Sequence, residues 1–447
     1  MRNVRVPLTL GILALAATAS AAPQVRAGDD FDAFANGEWT RSTALPAGQS
    51  SYGPTAMLIA KNAERVRNLL ESAASTPNGA LAQKVGDFYA SAADGQSIEA
   101  KGIAPLASDL AAIEAINNRQ SLSAALGRTL RLDDGTNTTT DGIFGVWVHQ
   151  GFTDSDRYLP HIVQGGLGLD ANAYADSAKA DVCAGYRAHV AQILKLAGHA
   201  NAESETNDVL AIETAIAASH ASRADTDDPV KTNNLWHRAD FATQAPGMDW
   251  AAYFAAAHLS EQGEFLVWQP SAVRGTSALV ASQPIAAWKA YLTFHLLDHY
   301  APVLPAAFAH FDQRPPADRQ KVAIAITNLA LGEAVGRLYV EQYFPPASKV
   351  AAETMAANLR SAFHARIAKL TWMSPQTRTK ALAKLAALNI GLGYPDHWTD
   401  YSTLQVIRGD ALGNQQRVEE FAYAQALAKL RRPVDPGEWS IVQPHQV

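Results

Sequence analysis

Apolar positions recur every three to four residues over most of the chain, the spacing that gathers them on one face of a helix. In "AMLIAKNAERVRNLLESAA", Leu58, Val66, Leu69 and Leu70 share one side, while Lys61, Glu64 and Arg65 spread over the other. The same period marks residues 103 to 130, 179 to 198, 204 to 221, 284 to 300, 317 to 343, 350 to 371 and 375 to 388. Strand-type alternation is confined to short pieces such as "GIFGVWVH", Gly142 to His149, and "DDGTNTTTDG", residues 133 to 142, reads as a hairpin-type turn before it. No repeat of fixed period and no low-complexity tract interrupts this pattern. It predicts a mainly α protein with at most a small sheet.

The two ends depart from the helical pattern. "MRNVRVPLTLGILALAATASAAPQ" carries Arg2 and Arg5, an apolar stretch from Val6 to Ala17, and the small residues Ala19, Ser20 and Ala21. That order is an export signal cleaved after residue 21, since its apolar core falls short of the roughly 20 residues that span a bilayer. Residues 22 to 55, rich in Gly, Pro, Asp and Ser, are expected to form an extended arm.

Composition narrows the class. With 447 residues, 48% hydrophobic and 18% charged, the chain can bury two or three cores, which excludes a disordered or polytopic membrane protein. Its net charge of -6 becomes -8 once Arg2 and Arg5 leave with the signal, and no basic stripe is present to neutralise phosphates, so nucleic acid is excluded as a partner. Cys183 is the only cysteine, so no intramolecular disulfide can form. A periplasmic protein held by its core alone fits, with Cys183 read as a small buried hydrophobe.

Candidate chemistry centres on "HLLDH", where His295 and His299 stand four residues apart on one helical face. A zinc peptidase helix also needs a glutamate after the first histidine and a third ligand elsewhere. Here Leu296 follows His295, and Asp298 points elsewhere on the helix. The surrounding "AAWKAYLTFHLLDHYAPVLP" reads as an amphipathic helix ended before Pro302, its histidines partly buried and hydrogen-bonded to neighbours.

Other motifs are architectural. "GGLGLDA" places Gly166, Gly168 and Ala171 at dinucleotide-loop spacing, but "YLPHIVQ" before it reads as helical context, so a turn is expected. Asp225, Asp227 and Asp228 lack calcium-loop spacing and read as solvated surface. In "GEAVGRLYVEQYFP", Gly332 and Gly336 suggest a close helix approach, and Glu333 and Arg337 an i,i+4 pair. "WMSPQTRTKALAKL" starts a helix with Ser374 as N-cap and Pro375 at its first position, Leu382 and Leu385 facing inward. No complete catalytic or metal-ligating constellation emerges, and substrate-binding residues stay unassigned.

Taken together, these blocks resemble the neprilysin family of zinc metallopeptidases, the neprilysin and endothelin-converting enzyme type. "DDFDAFANGEWTRSTALPAGQSSYG", Asp29 to Gly53, is similar to the family's N-terminal signature, with Asn36, Gly37, Trp39, Pro46 and the Ser-Tyr-Gly ending. "VQGGLGL", the "AIETAIA" helix with Glu213, "LALGEAVGRLYVEQYFP" and "TWMSPQTRTKALAKLAALNIGLGYPDHWTDYSTL" match further blocks in the family's order.

The resemblance implies a large helical cap over a thermolysin-like zinc domain, with a chamber admitting peptides of limited size. It places zinc on a His-Glu-x-x-His helix and a later Glu-x-x-x-Asp glutamate, and a strand beginning Asn-Ala-aromatic against the substrate. All of these follow the segment that reads "DPGEWSIVQPHQV" in this chain, so the expectation is the N-terminal part only, with no catalytic or metal residue to carry over and no cofactor in this chain. Ser51 stands where some members carry a carboxylate-anchoring arginine, which argues against exopeptidase-like preference.

The expected organisation is a signal at 1-21, an arm at 22-55, a helical cap at 56-430 and the start of the link to a catalytic domain at 431-447. The fold class is a mainly α, multi-helix cap with minor β that lacks the zinc domain. The protein is expected to be exported to the periplasm or secreted, without a membrane span after cleavage, and to meet peptides. Alone it would be inactive. The alternatives are a non-catalytic peptide- or protein-binding module, or one half of a split peptidase whose zinc domain is a separate chain.

Overall fold

The computed structural model describes residues 25-48, 50-132, 142-309 and 318-439, so the expected export signal and most of the expected 133-142 turn lie outside the described residues. The chain divides into two compact units, Met1-Ala60 and Lys61-Val447. In the first, α1 (Phe31-Ser42) forms where an extended arm is expected. The Asp30 side chain accepts from the Ala33 backbone N–H at 2.9 Å, and Asn36 donates to Asp32 at 2.6 Å. The polar residues that suggested a loop thus cap and brace a helix. Trp39 stacks on Tyr52 at 6.3 Å, and α2 (Pro54-Ser75) begins in this unit.

The second unit starts with close helix packing. Val66, Leu69 and Leu70 of α2 are buried as the pattern predicts, whereas Leu58 is exposed. Against them lies α3 (Gly79-Ala93), where a side chain at Gly86 would come within 2.1 Å of the Ala73 carbonyl oxygen. Then come α4 (Gly95-Lys101), α5 (Ala107-Glu114) and α6 (Arg119-Arg128). The single helix expected over 103 to 130 is split because Asn118 starts a new one: its side chain accepts from Ser121 N–H, and Ser121 reciprocates.

Five strands follow in the spatial order β1-β2-β3-β5-β4: β1 (Arg131-Leu132), β2 (Phe144-Gln150), β3 (Tyr158-Gln164), β4 (Leu235-His237) and β5 (Glu264-Val267). β1 runs parallel to β2, and the antiparallel partner of β2 is β3, with Trp147 opposite His161. β3 corrects the helical reading of "YLPHIVQ". It is buried at every position and contains Pro160, so neither alternation nor ordinary strand composition announces it.

Between and after the strands come α7 (Ala180-Leu196), α8 (Ala202-Ser219), α9 (Arg223-Thr226), α10 (Asp240-Gln244), α11 (Trp250-Ala256), α12 (Pro270-Ser282) and α13 (Ile285-His299). One face of β2, with Phe144, Val146 and Val148, packs into a core shared with these helices. Phe241, Trp250, Phe254 and Phe265 form its aromatic centre, with ring centroids 4.6 to 5.6 Å apart between neighbours. Each such ring contributes on the order of 1.5-3 kcal/mol by leaving water. Trp147 and Trp268 stack at 5.2 Å beside the fully buried His161.

A second core joins α2 and α3 to α14 (Arg319-Tyr343), which turns out of helical geometry at Leu331, φ -127° and ψ 30°. α14 is long and apolar enough to cross a membrane, but half of its most apolar stretch is buried against protein. Gly332 and Gly336 are buried as the close-approach reading expects, yet the Glu333-Arg337 pair is not formed. Glu333 instead accepts from the Thr399 hydroxyl at 2.7 Å and from its backbone N–H, and Arg337 reaches Glu341 at 3.3 Å.

α15 (Pro346-Ala368) and α16 (Pro375-Ala386) form a hairpin with no buried residue. Ser374 caps α16 as expected, accepting from Thr377 N–H at 3.1 Å, but Leu382 and Leu385 are only half-buried. The last helix, α17 (Ala411-Lys429), places Leu412 and Ala426 in the first core and Val418 in the second. Beyond it Tyr158 donates to Glu438 at 2.6 Å, holding the final described segment on β3.

Candidate functional site

α13 is not amphipathic. Packed among α5, α6, α7 and α8, it buries Trp288, Tyr291, Leu292, Phe294, His295 and Leu297, so its polar side chains must find partners inside the protein. Each polar side chain of "HLLDH" finds a different one. His295 Nε2 lies 3.0 Å from Glu213 Oε1 on α8, Asp298 Oδ1 lies 2.8 Å from His189 Nε2 on α7, and His299 Nε2 lies 2.8 Å from Glu419 Oε1 on α17. Tyr300 donates its hydroxyl to the other Glu419 oxygen at 2.9 Å. One short motif thereby ties α13 to three helices.

Glu213 is the hub. Fully buried, it accepts from the Tyr186 hydroxyl at 2.7 Å, the Tyr174 hydroxyl at 3.1 Å and His295. With the carboxylate accepting, His295 Nε2 carries the proton. Burial, reinforced by the Glu213 charge, pushes both tyrosine hydroxyls well above their usual range, so they stay protonated as donors. Sequence reasoning places Glu213 in a family-like helix but assigns it no such role. A signal for it exists: Glu213 sits among Val209, Ile212 and Ile216, on the apolar face of its own helix.

The glycines of "GGLGLDA" also meet tyrosines, one of them a Glu213 donor. A side chain at Gly168 would lie 1.9 Å from the Tyr186 hydroxyl, and Gly166, at φ +85°, accepts from the Tyr291 hydroxyl through its carbonyl at 2.9 Å. The motif is a turn at a packing contact, followed by the 3-10 turn Ala171-Tyr174. The acidic stretch lies at the surface, with Asp227 exposed and Asp225 and Asp228 half-buried: Asp227 pairs with Arg223 at 2.9 Å, and Asp225 with Lys231. Cys183 is half-buried, not buried, and donates to the Ala173 carbonyl at 3.2 Å.

A zinc site requires three protein ligands converging on one point. His295, Asp298 and His299 diverge to separate partners, and among the described residues no group of three or more His, Cys, Asp or Glu is placed to hold a metal ion. The described residues therefore do not fit zinc.

What α13 does border is a cavity of about 140 Å³ between α5, α6 and α13, whose lining includes Asp109, Ile113, Leu126, Arg128, Leu292 and His295. Apolar walls with a few charged groups make this a binding pocket in form.

Comparison with known proteins places this architecture. The N-terminal model of peptidase family M13 matches residues 27-395. Human endothelin-converting enzyme-like 1 is 25% identical over 92% of this chain and 57% of its own length; an endothelin-converting enzyme homolog from Locusta migratoria is 24% identical over 93% and 62%. The chain thus spans little more than half the length of these relatives. Among solved structures, Mycobacterium tuberculosis zinc metalloprotease Zmp1 in its open state superposes with a TM-score of 0.84 at 32% identity, covering 94% of this chain and 67% of that one. PepO from Lactobacillus rhamnosis shares the fold, with a TM-score of 0.73 at 19% identity over 93% of this chain and 68% of that one.

Proposed function

Because the chain belongs to peptidase family M13, we propose that it is the helical N-terminal region of an exported zinc metalloendopeptidase that hydrolyses peptides of limited size. The observation that carries this reading is the match to Zmp1, which spans 94% of this chain and only 67% of that peptidase. The chain would shape the peptide chamber, while zinc and its ligands would come from polypeptide outside these 447 residues. The relatives' extra length and the uncovered α15-α16 hairpin both support that division.

The uncovered hairpin also favours a second reading, in which the zinc-bearing part is a separate polypeptide that docks on this one. Two measurements test these readings. The purified chain, supplied with zinc and a mixed peptide substrate, is expected to show no hydrolysis; chelator-sensitive cleavage by it would overturn the division of labour. The intact mass of the native protein separates the readings: a mass well above this 47.7 kDa chain assigns zinc to the same polypeptide, and one matching residues 22-447 assigns it to a partner.

A further inference from the structure

The cavity between α5, α6 and α13 is not explained by the peptidase reading, and its polar atoms limit what could fill it. Most are already engaged. Thr129 donates its hydroxyl to the Leu126 carbonyl at 2.9 Å, Tyr291 to that of Gly166 at 2.9 Å, and His299 is held by Glu419 at 2.8 Å. Asp109 and His295 each offer a further side-chain atom to the space. Asp109 receives Gln416 on Oδ2 at 3.3 Å, which leaves Oδ1, and His295 donates through Nε2 to Glu213, which leaves the Nδ1 lone pair.

A complementary ligand must bring donors to both atoms and an apolar body to Ile113, Leu126 and Leu292. A positive charge suits the Asp109 carboxylate better than a neutral hydroxyl does. At about 140 Å³ the space holds about six to nine heavy atoms, since a cavity of about 150 Å³ takes a benzene ring.

We propose that this cavity binds a small primary ammonium ion carrying a branched apolar body, its N–H groups donating to Asp109 and His295. Free branched amino acids and simple alkylamines share that chemistry. The two sources separate by whether a carboxylate on the ligand adds affinity. The site stands independently of the peptidase reading, because none of its residues belongs to a zinc centre.

The test is calorimetric titration of the full chain with isoamylamine, L-leucine and 4-methylpentanoate. Isoamylamine and leucine are expected to bind with Kd of about 0.1-1 mM, the range open to ligands of this size, and 4-methylpentanoate not at all. Tighter binding of leucine than of isoamylamine identifies an amino acid as the ligand; equal binding identifies the amine alone as the recognised group. Asp109→Asn is expected to weaken both about tenfold by removing the charge. Ala112→Phe, at an exposed position on the cavity wall, is expected to abolish binding by filling the space. Thermal unfolding of each variant checks its fold, and either variant alone suffices if the other does not fold. No saturable binding of either amine, equal binding of the acid, or unchanged affinity in a folded variant would overturn the proposal.

Discussion

α13 buries nine of its 15 residues and α15 none of its 23, although both read as helices from the same apolar period. Around α13, neighbours arrive from every side, so even its histidines and aspartate are enclosed and must be matched by Glu213, His189 and Glu419. Along α15, Met355, Leu359 and Phe363 repeat every fourth residue, yet stay 64%, 56% and 57% exposed. Apolar periodicity states that a face can be covered. It does not state whether the cover is part of the same compact unit.

The contrast can be broken most directly at Glu213. Glu213→Ala removes the acceptor of two tyrosines and a histidine in a dry interior, with an expected cost of about 3-5 kcal/mol. Glu213→Gln keeps one acceptor and is expected to cost clearly less. Urea unfolding monitored by far-UV circular dichroism measures both. A loss below about 1 kcal/mol for the alanine variant would mean the hub does not hold α8 to α13.

Acid attacks the buried interior at His161. Burial, with the His149 imidazole nearby, lowers His161 to about 4 from its ordinary 6.5. The unfolded chain therefore takes up this proton first, and stability is full above about pH 6.5 and falls as pH drops towards 4. The loss attributable to His161 is expected to be about 3 kcal/mol over that window. His161→Phe should flatten this part of the profile; an unchanged slope in the variant would assign the acid sensitivity to other groups.

The smallest effect is expected on the exposed side. Phe363→Ala should change unfolding free energy by no more than about 0.5 kcal/mol, because little area is lost where little is buried. Amide hydrogen exchange in α15 and α16 should be correspondingly fast in the same chain. A cost of about 3 kcal/mol, of the size a core phenylalanine gives, would show that the hairpin is covered in solution.

Much of the fold was legible. The helices over 179 to 198, 204 to 221, 284 to 300 and 375 to 388 fall within a few residues of α7, α8, α13 and α16, because periodicity and caps such as Ser374 are local. The ordered blocks from Asp29 to Leu404 sufficed for the family. β3 escaped because a central strand buried on both faces has no alternation, and α1 because its capping residues resemble a loop.

The candidate site was legible only in its parts. The sequence by itself determined that "HLLDH" is helical and lacks the glutamate of a zinc helix, since both facts depend on spacing along one element. Only the tertiary structure decided that its three polar side chains turn to three different helices, that Glu213 gathers two tyrosines and a histidine, and that a cavity opens beside them. Those contacts join residues 27 to 120 positions apart, and the direction of a buried hydrogen bond is fixed by which helix packs opposite, which no local pattern encodes.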